Sequence, residues 1–283
     1  MIMQLGVHSA TFVKDWQEDI TPYIVKCKEA GYSCVEISLL GQNEKTAKKI
    51  YELSKELNID ITCTTGLSAN EDLTSTSEKI RKNGEEKLLE SINLASIMGS
   101  KILTGVIHCS WGVSDAKGSN KEIKFNNSAN SLKNIGSHLE KKNIRLGIEP
   151  LNRYETDFIN TVDEGLELCR LVNHPKIGLL LDVYHMNIEE KNMIESIKRA
   201  SNKIFHFHVA ENDRGIPGTG TLNFNEIFKT LMSIGYNQNV TLEMFIQANQ
   251  NTSRDLFTWR NIENDPFEAI KKSREYLQSF IND

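Results

Sequence analysis

Short apolar segments rich in β-branched residues alternate with longer amphipathic segments along the whole chain. Apolar runs of about four to eight residues predict strands, and apolar positions at helical spacing predict helices. The predicted strands are Gln4 to His8, Cys34 to Ser38, Asp60 to Thr64, Lys101 to Ile107, Arg145 to Glu149, Ile177 to Asp182, Ile204 to Val209 and Val240 to Met244. The predicted helices are Asp19 to Ala30, Glu44 to Leu57, Ser77 to Met98, Asn127 to Lys142, Val162 to Leu171, Met193 to Ala200, Phe224 to Ile234 and Pro266 to Ile281.

This alternation predicts a parallel sheet, because each strand is followed by a helix that returns the chain to the same edge. Continuous apolar strands such as Ile177 to Leu181 are typical of a sheet with both faces covered. An open doubly wound sheet has the same alternation, but no glycine-rich phosphate loop follows the first strand. With 283 residues, close to the ~250 of this fold, we predict a single-domain (β/α)₈ TIM barrel over residues 1–283. Gly31, Gly99 and Gly235 are predicted to close helices in a left-handed conformation.

Composition and charge reduce the number of possible functions. A net charge of -5 provides no basic surface for nucleic acid, and no apolar run reaches the ~18 residues of a membrane span. We therefore predict a small-molecule partner, no nucleic acid and no membrane. The first residues carry no basic-then-apolar targeting signal, which predicts a cytoplasmic protein. The five cysteines are odd in number and contain no C-x-x-C pair, so they are expected to be free and buried.

Four successive predicted strands carry acidic or imidazole side chains where the strands end. These are Glu149, Asp182, the pair His206 and His208, and Glu243. In a (β/α)₈ barrel these strand ends meet at one mouth. Converging carboxylates repel one another unless a cation lies among them, and oxygen ligands with one imidazole suit manganese, magnesium or cobalt. Each carboxylate alone could instead cap a helix, and one histidine is expected to be a hydrogen-bonded core residue; the sequence does not distinguish which.

Polar residues on the loops that follow these strands are expected to meet substrate hydroxyls. They are Arg153, Glu155, His185 and the run from Glu211 to Arg214. Trp111, in the long loop from Ser110 to Glu122, is expected either to stack on a sugar ring or to plug the mouth. The glycine-rich run from Arg214 to Gly220 lacks the Lys-Ser/Thr ending of a phosphate loop and is interpreted as a turn.

Three long segments resemble the ketose 3-epimerases, the group that contains D-tagatose 3-epimerase and D-psicose (D-allulose) 3-epimerase, within the xylose-isomerase-like TIM barrel superfamily. They are Glu149 to Glu155, Leu181 to Glu190, and His206 to Gly220. The resemblance implies metal ligands at Glu149, Asp182, His208 and Glu243, with Mn²⁺ as the usual ion and Co²⁺ or Mg²⁺ as substitutes. It also places Glu155, His185 and Arg214 at the carbonyl-end oxygens of the substrate, and it implies a homodimer or homotetramer.

The mechanism that the resemblance implies is epimerisation at C3 of a ketose. The metal would hold the C2 carbonyl oxygen and the C3 hydroxyl, while Glu149 and Glu243 act from opposite faces through a cis-enediolate. Alternatives on the same site are an aldose-ketose or sugar-phosphate isomerase. More distant alternatives are a metal-dependent nuclease of the AP-endonuclease type and a catalytically silent sugar-binding barrel.

The chain departs from the family pattern at a few positions. The family usually has aromatic residues where this chain has His8 to Phe12, and a proline where it has Met244. Tyr184 replaces a phenylalanine. The first two departures are expected to shape the pocket beyond the reacting carbons.

Overall fold

The structure, a computed structural model, describes residues 3–112 and 120–281. Within these residues, eight parallel strands close into a barrel in which each strand pairs with the next and β8 pairs with β1. The predicted single-domain TIM barrel is confirmed. The strands are β1 Gln4–His8, β2 Cys34–Ser38, β3 Asp60–Leu67, β4 Ile102–Ser110, β5 Arg145–Ile148, β6 Ile177–Asp182, β7 Ile204–Val209 and β8 Asn239–Leu242.

Helices connect the strands and cover the outside of the barrel. They are α1 Thr21–Glu29, α2 Glu44–Leu57, α3 Glu78–Ile97, α4 Lys121–Asn134, α5 Gly136–Lys142, α6 Val162–Val172, α7 Val183–Glu189, α8 Met193–Ala200, α9 Phe224–Ser233 and α10 Pro266–Gln278. Gly31, Gly99 and Gly235 have φ angles of 86°, 81° and 73°, which confirms the predicted left-handed helix ends. All five cysteines are free and buried, as predicted.

Two helical segments differ from the prediction. The single helix expected from Asn127 to Lys142 is two helices, and the first begins earlier because the Asn120 side chain accepts hydrogen bonds from two backbone N–H groups of the first turn. Helix α7 was not predicted. Its N-cap is Asp182, whose Oδ1 accepts from the Tyr184 backbone N–H at 2.8 Å. Asp182 therefore ends β6 and begins α7, with its second oxygen left for the barrel mouth.

The barrel interior contains polar side chains as well as the expected apolar ones. Glu36, Thr104, His206 and His208 are all buried, and each belongs to a strand. Buried polar groups of this kind are stable only when they are paired, so their partners define the site described next. No helix in the described ranges combines the length and the apolar character needed to cross a membrane.

Candidate active site

The four predicted metal ligands lie together at the C-terminal end of the barrel. Glu149 and Glu243 directly follow β5 and β8, Asp182 ends β6, and His208 belongs to β7, where it pairs in register with Asp182. Each side chain offers one atom that lies within 4.8 Å of those of the other three, and all four residues are buried. The barrel geometry, in which neighbouring strand ends share one mouth, brings them together.

His208 has the geometry of a metal ligand. Its Nε2 lies 2.9 Å from Glu36 Oε2. Its Nδ1 lies 3.4 Å from Glu243 Oε2 and has no hydrogen-bond partner among the described residues. A buried imidazole nitrogen without a partner, surrounded by three carboxylates, is a donor set that fits a divalent ion such as manganese, magnesium or cobalt. His206 Nε2 instead lies 2.8 Å from Glu36, so His206 is the hydrogen-bonded core histidine.

Glu36, in the middle of β2, links these two histidines and was missed from the sequence. Thr104 Oγ1 donates to its other oxygen at 3.0 Å. Burial alone would raise the pKa of Glu36, but His206 and His208 outweigh it and hold that pKa well below its usual value. The ionised carboxylate keeps a proton on Nε2 of His208 and leaves Nδ1 free for an ion. A lone glutamate in the otherwise apolar segment from Cys34 to Ile37 was the available signal.

The pKa values of the two glutamates of the site are shifted in opposite directions. Burial, and next the neighbouring Glu243 carboxylate, raise the pKa of Glu149 well above its usual value. Burial opposes ionisation of Glu243 too, but His208 and Arg214 outweigh it and hold the pKa of Glu243 well below its usual value. One carboxyl is therefore suited to give a proton and the other to accept one.

Arg214 is held by two of the carboxylates. Its Nη1 lies 2.5 Å from Asp182 Oδ2 and 2.9 Å from Glu243 Oε2. The guanidinium also stacks over the rings of Tyr184 and Phe245, with its central carbon 4.1 Å and 4.7 Å from the two centroids. The Arg214 backbone is left-handed, with φ at 68°, an uncommon conformation for a residue with a side chain. Charge pairs and stacking together fix this side chain beside the cluster.

The same cavity is lined by three predicted substrate contacts, His185, Glu155 and Trp111. Asn152 forms hydrogen bonds with both His185 and Glu155. The Asn152 backbone N–H donates to His185 Nδ1 at 3.2 Å, and its side chain donates to Glu155 Oε1 at 2.8 Å. Burial lowers the pKa of His185, so the ring is neutral. Its Nε2 lies 3.3 Å from Arg214 Nη2 and 3.6 Å from Glu149 Oε1. Trp111 Nε1 donates to the second Glu155 oxygen at 3.1 Å. Asn152, which is also buried, was missed as a positioning residue.

Trp111 lies on the cavity wall beside Gly66, where an added Cβ would be 3.4 Å from the indole. This placement is compatible with stacking on a ligand. Residues 113–119 of the predicted long loop lie outside the described residues.

Three predictions about the pocket are wrong. The Arg153 side chain is 62% exposed, and its Nη2 lies 2.9 Å from Glu189 Oε2. This pair lies outside the cavity. Glu211 is buried and accepts hydrogen bonds from the backbone N–H groups of Gly218 and Leu222, so it anchors its own loop. Met244 is buried away from the cavity, with Ser273 of α10 at 3.6 Å from its sulfur.

Of the segment from His8 to Phe12, His8 is the part that reaches the pocket. Phe12 stacks on Phe267 with ring centroids 5.1 Å apart. The cavity has a volume of about 520 Å³ when the open solvent at its mouth is included. Its wall is formed by His8, Trp16, Ser38, Leu40, Thr64, Thr65, Gly66, Gly105, Val106, Trp111, Glu149, Leu151, Glu155, His185, Arg214, Glu243, Phe245 and Leu256.

The barrel fold and the cluster at its mouth can be compared with known protein families. Residues 24–279 match the model of the xylose isomerase-like TIM barrel family, and the chain belongs to that family. Among its relatives is the L-ribulose 3-epimerase of a Methylomonas species, which is 32% identical over 279 residues and is aligned over 98% of this chain and 97% of its own. The D-psicose 3-epimerase of Ruminiclostridium cellulolyticum is 28% identical over 95% of this chain and 92% of its own.

Solved structures agree with this relationship. The crystal structure of D-allulose 3-epimerase from Methylomonas sp. in complex with D-allulose superposes with a TM-score of 0.90 at 32% identity, covering 98% of this chain and 97% of that one. The relatives confirm the resemblance to ketose 3-epimerases and show that the chain is an enzyme of the isomerase class that acts on sugars.

Proposed function

We propose that this protein is a metal-dependent ketose 3-epimerase that acts on an unphosphorylated sugar. The observation that carries the proposal is the pair Glu149 and Glu243, which come from non-adjacent strands, face the same cavity and have pKa values shifted in opposite directions. Inversion of a carbon centre needs one group that removes a proton and another that returns a proton to the opposite face.

Glu149, Asp182, His208 and Glu243 would hold the ion. Mn²⁺ is proposed from the family resemblance, with Co²⁺ or Mg²⁺ as substitutes. When bound, the ion supplies an electrophile that polarises the substrate carbonyl and stabilises negative charge on its oxygen. The unpartnered His208 Nδ1 and the convergence of three carboxylates support this assignment.

The side chains would divide the remaining work. In one direction, the ionised Glu243 takes the proton from C3, the C2–C3 double bond forms and the carbonyl oxygen becomes negative. Glu149 then gives a proton to the other face of C3 as the C2 carbonyl re-forms, which leaves Glu149 ionised and Glu243 protonated, and the roles are exchanged for the reverse direction. His185, Arg214 and Glu155 would hold the oxygens of the carbonyl end. Each proton transfer contributes about 10² to 10⁴ in rate.

The cavity favours a free sugar. Arg214 is the one cationic side chain that lines it within the described residues, and Asp182 and Glu243 already hold this guanidinium. A phosphate dianion is usually bound by several unpaired N–H or cationic donors.

Epimerisation is also favoured over aldose-ketose isomerisation, because a proton shift from C1 to C2 on one face needs a single base. The homodimer or homotetramer implied by the resemblance and the cytoplasmic location expected from the sequence belong to the same proposal; light scattering tests the first.

The test is an isotope experiment. The Mn²⁺-loaded protein is incubated in D₂O with a panel of free and phosphorylated ketoses, and products are analysed by NMR. Deuterium at C3 together with the inverted epimer is expected for at least one free ketose. The activity should disappear with a chelator and return with Mn²⁺. Exchange at C1 with formation of an aldose would replace the proposal by isomerisation, and turnover limited to phosphorylated sugars would contradict the free-sugar assignment.

A further inference from the structure

The side of the cavity formed by β1 to β3 carries a small polar group of its own, which borders the acidic cluster at Glu243. His8 ends β1, Ser38 ends β2 and Thr64 belongs to β3, where it pairs in register with Ser38. All three line the cavity and are buried. None takes part in the proton transfers proposed above, and neither composition nor spacing distinguished them as a group.

The hydrogen bonds of His8 determine where its proton lies. The Ala10 backbone N–H donates to Nδ1 at 3.0 Å, so this nitrogen carries no hydrogen and the neutral ring is protonated at Nε2. Nε2 lies 3.0 Å from Thr64 Oγ1, and His8 therefore donates to the threonine. These two hydrogen bonds connect the Ala10 backbone N–H, the His8 imidazole and the Thr64 hydroxyl in series.

Thr64 is left with a hydrogen to give. Its oxygen accepts from His8, and no second hydrogen bond of this hydroxyl is found in residues 3–112 and 120–281. Because Thr64 lines the cavity, the free O–H is available to a ligand there. A hydroxyl that already accepts a hydrogen bond is a better donor than an isolated one.

The position of His8 and Thr64 relative to Glu243 indicates which part of a bound sugar they would contact. His8 Nε2 lies 3.9 Å from Glu243 Oε1, so the polar group borders the carboxylate that we place beside C3. The first substituent beyond the reacting carbons is the hydroxyl on C4. The apolar side chains of Trp16, Leu40 and Leu256 line the same cavity and suit the C–H groups of a sugar chain.

We infer that Thr64, oriented by His8, donates a hydrogen bond to the C4 hydroxyl of the ketose and makes the enzyme selective for the configuration at C4. This inference rests on the proposed function for the orientation of the sugar. Thr64 would contact the substrate directly, whereas His8 is a positioning residue that acts through Thr64.

D-fructose and D-tagatose differ only at C4 and provide the test. The ratio of their kcat/KM values is measured for the wild type and for Thr64→Val, Thr64→Ser and His8→Phe. We expect the wild type to prefer one sugar, Thr64→Val to reduce that preference about five- to tenfold, and Thr64→Ser to keep it, since one hydrogen bond to a hydroxyl has about this effect. His8→Phe should match Thr64→Val, and the double variant should lose nothing more.

The matched control is Thr62→Val, the same change two residues earlier in β3, where the hydroxyl faces the Cys34 sulfur at 3.6 Å. It should keep the wild-type ratio. A wild type without preference, a Thr64→Val variant that keeps the full preference, or an equal loss in Thr62→Val would each overturn the inference. If Thr64→Val does not fold, His8→Phe and Thr64→Ser decide the same question.

Binding separates this inference from the proposed function. Calorimetry with the Glu149→Gln protein and each sugar measures the preference at C4 without requiring turnover. A preference in binding that Thr64→Val removes supports the inference even if no ketose is epimerised at C3. Epimerisation without any preference at C4 supports the proposed function and contradicts the inference.

Discussion

The two halves of the cavity differ in charge. Strands β5 to β8 contribute three carboxylates and an imidazole, and the loop after β7 adds a guanidinium. Strands β1 to β3 contribute neutral hydroxyl and imidazole groups, next to apolar side chains. Because consecutive strands are neighbours around the barrel, each half is built from one continuous part of the chain. Proton transfer and substrate selection can therefore be changed separately by mutation.

The largest effects are expected in the charged half. Glu149→Gln and Glu243→Gln each remove a group that can exchange a proton, and the rate of epimer formation should fall about 10³-fold. The measurement is deuterium incorporation at C3 under saturating Mn²⁺, with the bound metal determined in parallel and the fold checked by circular dichroism. Near-normal turnover in either variant would rule out the two-carboxylate scheme.

Glu36 tests whether the charged half depends on a strand of the other half. In Glu36→Gln, one amide oxygen replaces the charge that holds two histidines, so His208 is less firmly held with Nδ1 toward the ion. Metal affinity, measured by competition with a fluorescent chelator, should fall about 10- to 100-fold. The control is Glu44→Gln on α2, at a side chain that is 65% exposed. An affinity within twofold of the wild type would show that Glu36 has no part in the metal site.

Trp111 lies between the two halves and should have a smaller effect. Trp111→Phe keeps the ring surface but removes the N–H that donates to Glu155. We expect KM to rise about two- to fivefold with little change in kcat, because one neutral-to-charged hydrogen bond is lost at a partly hydrated site. Tyr51→Phe, on α2 and at a residue that is 40% exposed, serves as the control. An unchanged KM would show that this bond does not position Glu155 for substrate.

Arg153 should have the smallest effect, since it belongs to neither half. Its side chain is 62% exposed, pairs with the largely buried carboxylate of Glu189 and does not line the cavity. Arg153→Ala is therefore expected to leave kcat/KM within about twofold, since surface ion pairs away from a site have little influence on it. A decrease in kcat/KM of tenfold or more would show that Arg153 contacts the substrate after all.

Strand–helix periodicity was sufficient to predict the barrel and most element positions, because each β/α unit follows local rules of pattern and capping. Helix α7 was missed because the aspartate that caps it was interpreted only as a strand end. The positions of the predicted ligands followed from the barrel rule that strand ends share one mouth. Their assignment as ligands came from the convergence of carboxylates and an imidazole, with the choice of His208 over His206 taken from the family resemblance, and it stays a prediction.

Residues that act through long-range contacts could not be predicted in this way. Glu36 and His206 are 170 positions apart, and only the closed sheet brings them within 2.8 Å. His8 and Thr64 are 56 positions apart. Side-chain direction in a loop was equally hidden, since Arg153 and Glu155 are neighbours in one motif but only Glu155 lines the cavity.

The crowding of acidic groups at one end of the barrel also links folding to ion uptake. Without an ion, Glu149 and Glu243 are buried side by side, and their mutual repulsion is part of what raises the pKa of Glu149. An ion that binds the folded chain alone adds about 2.7 kcal/mol of stability when its free concentration is 100 times Kd. Scarcity of that ion would then shorten the lifetime of the protein as well as slow its turnover.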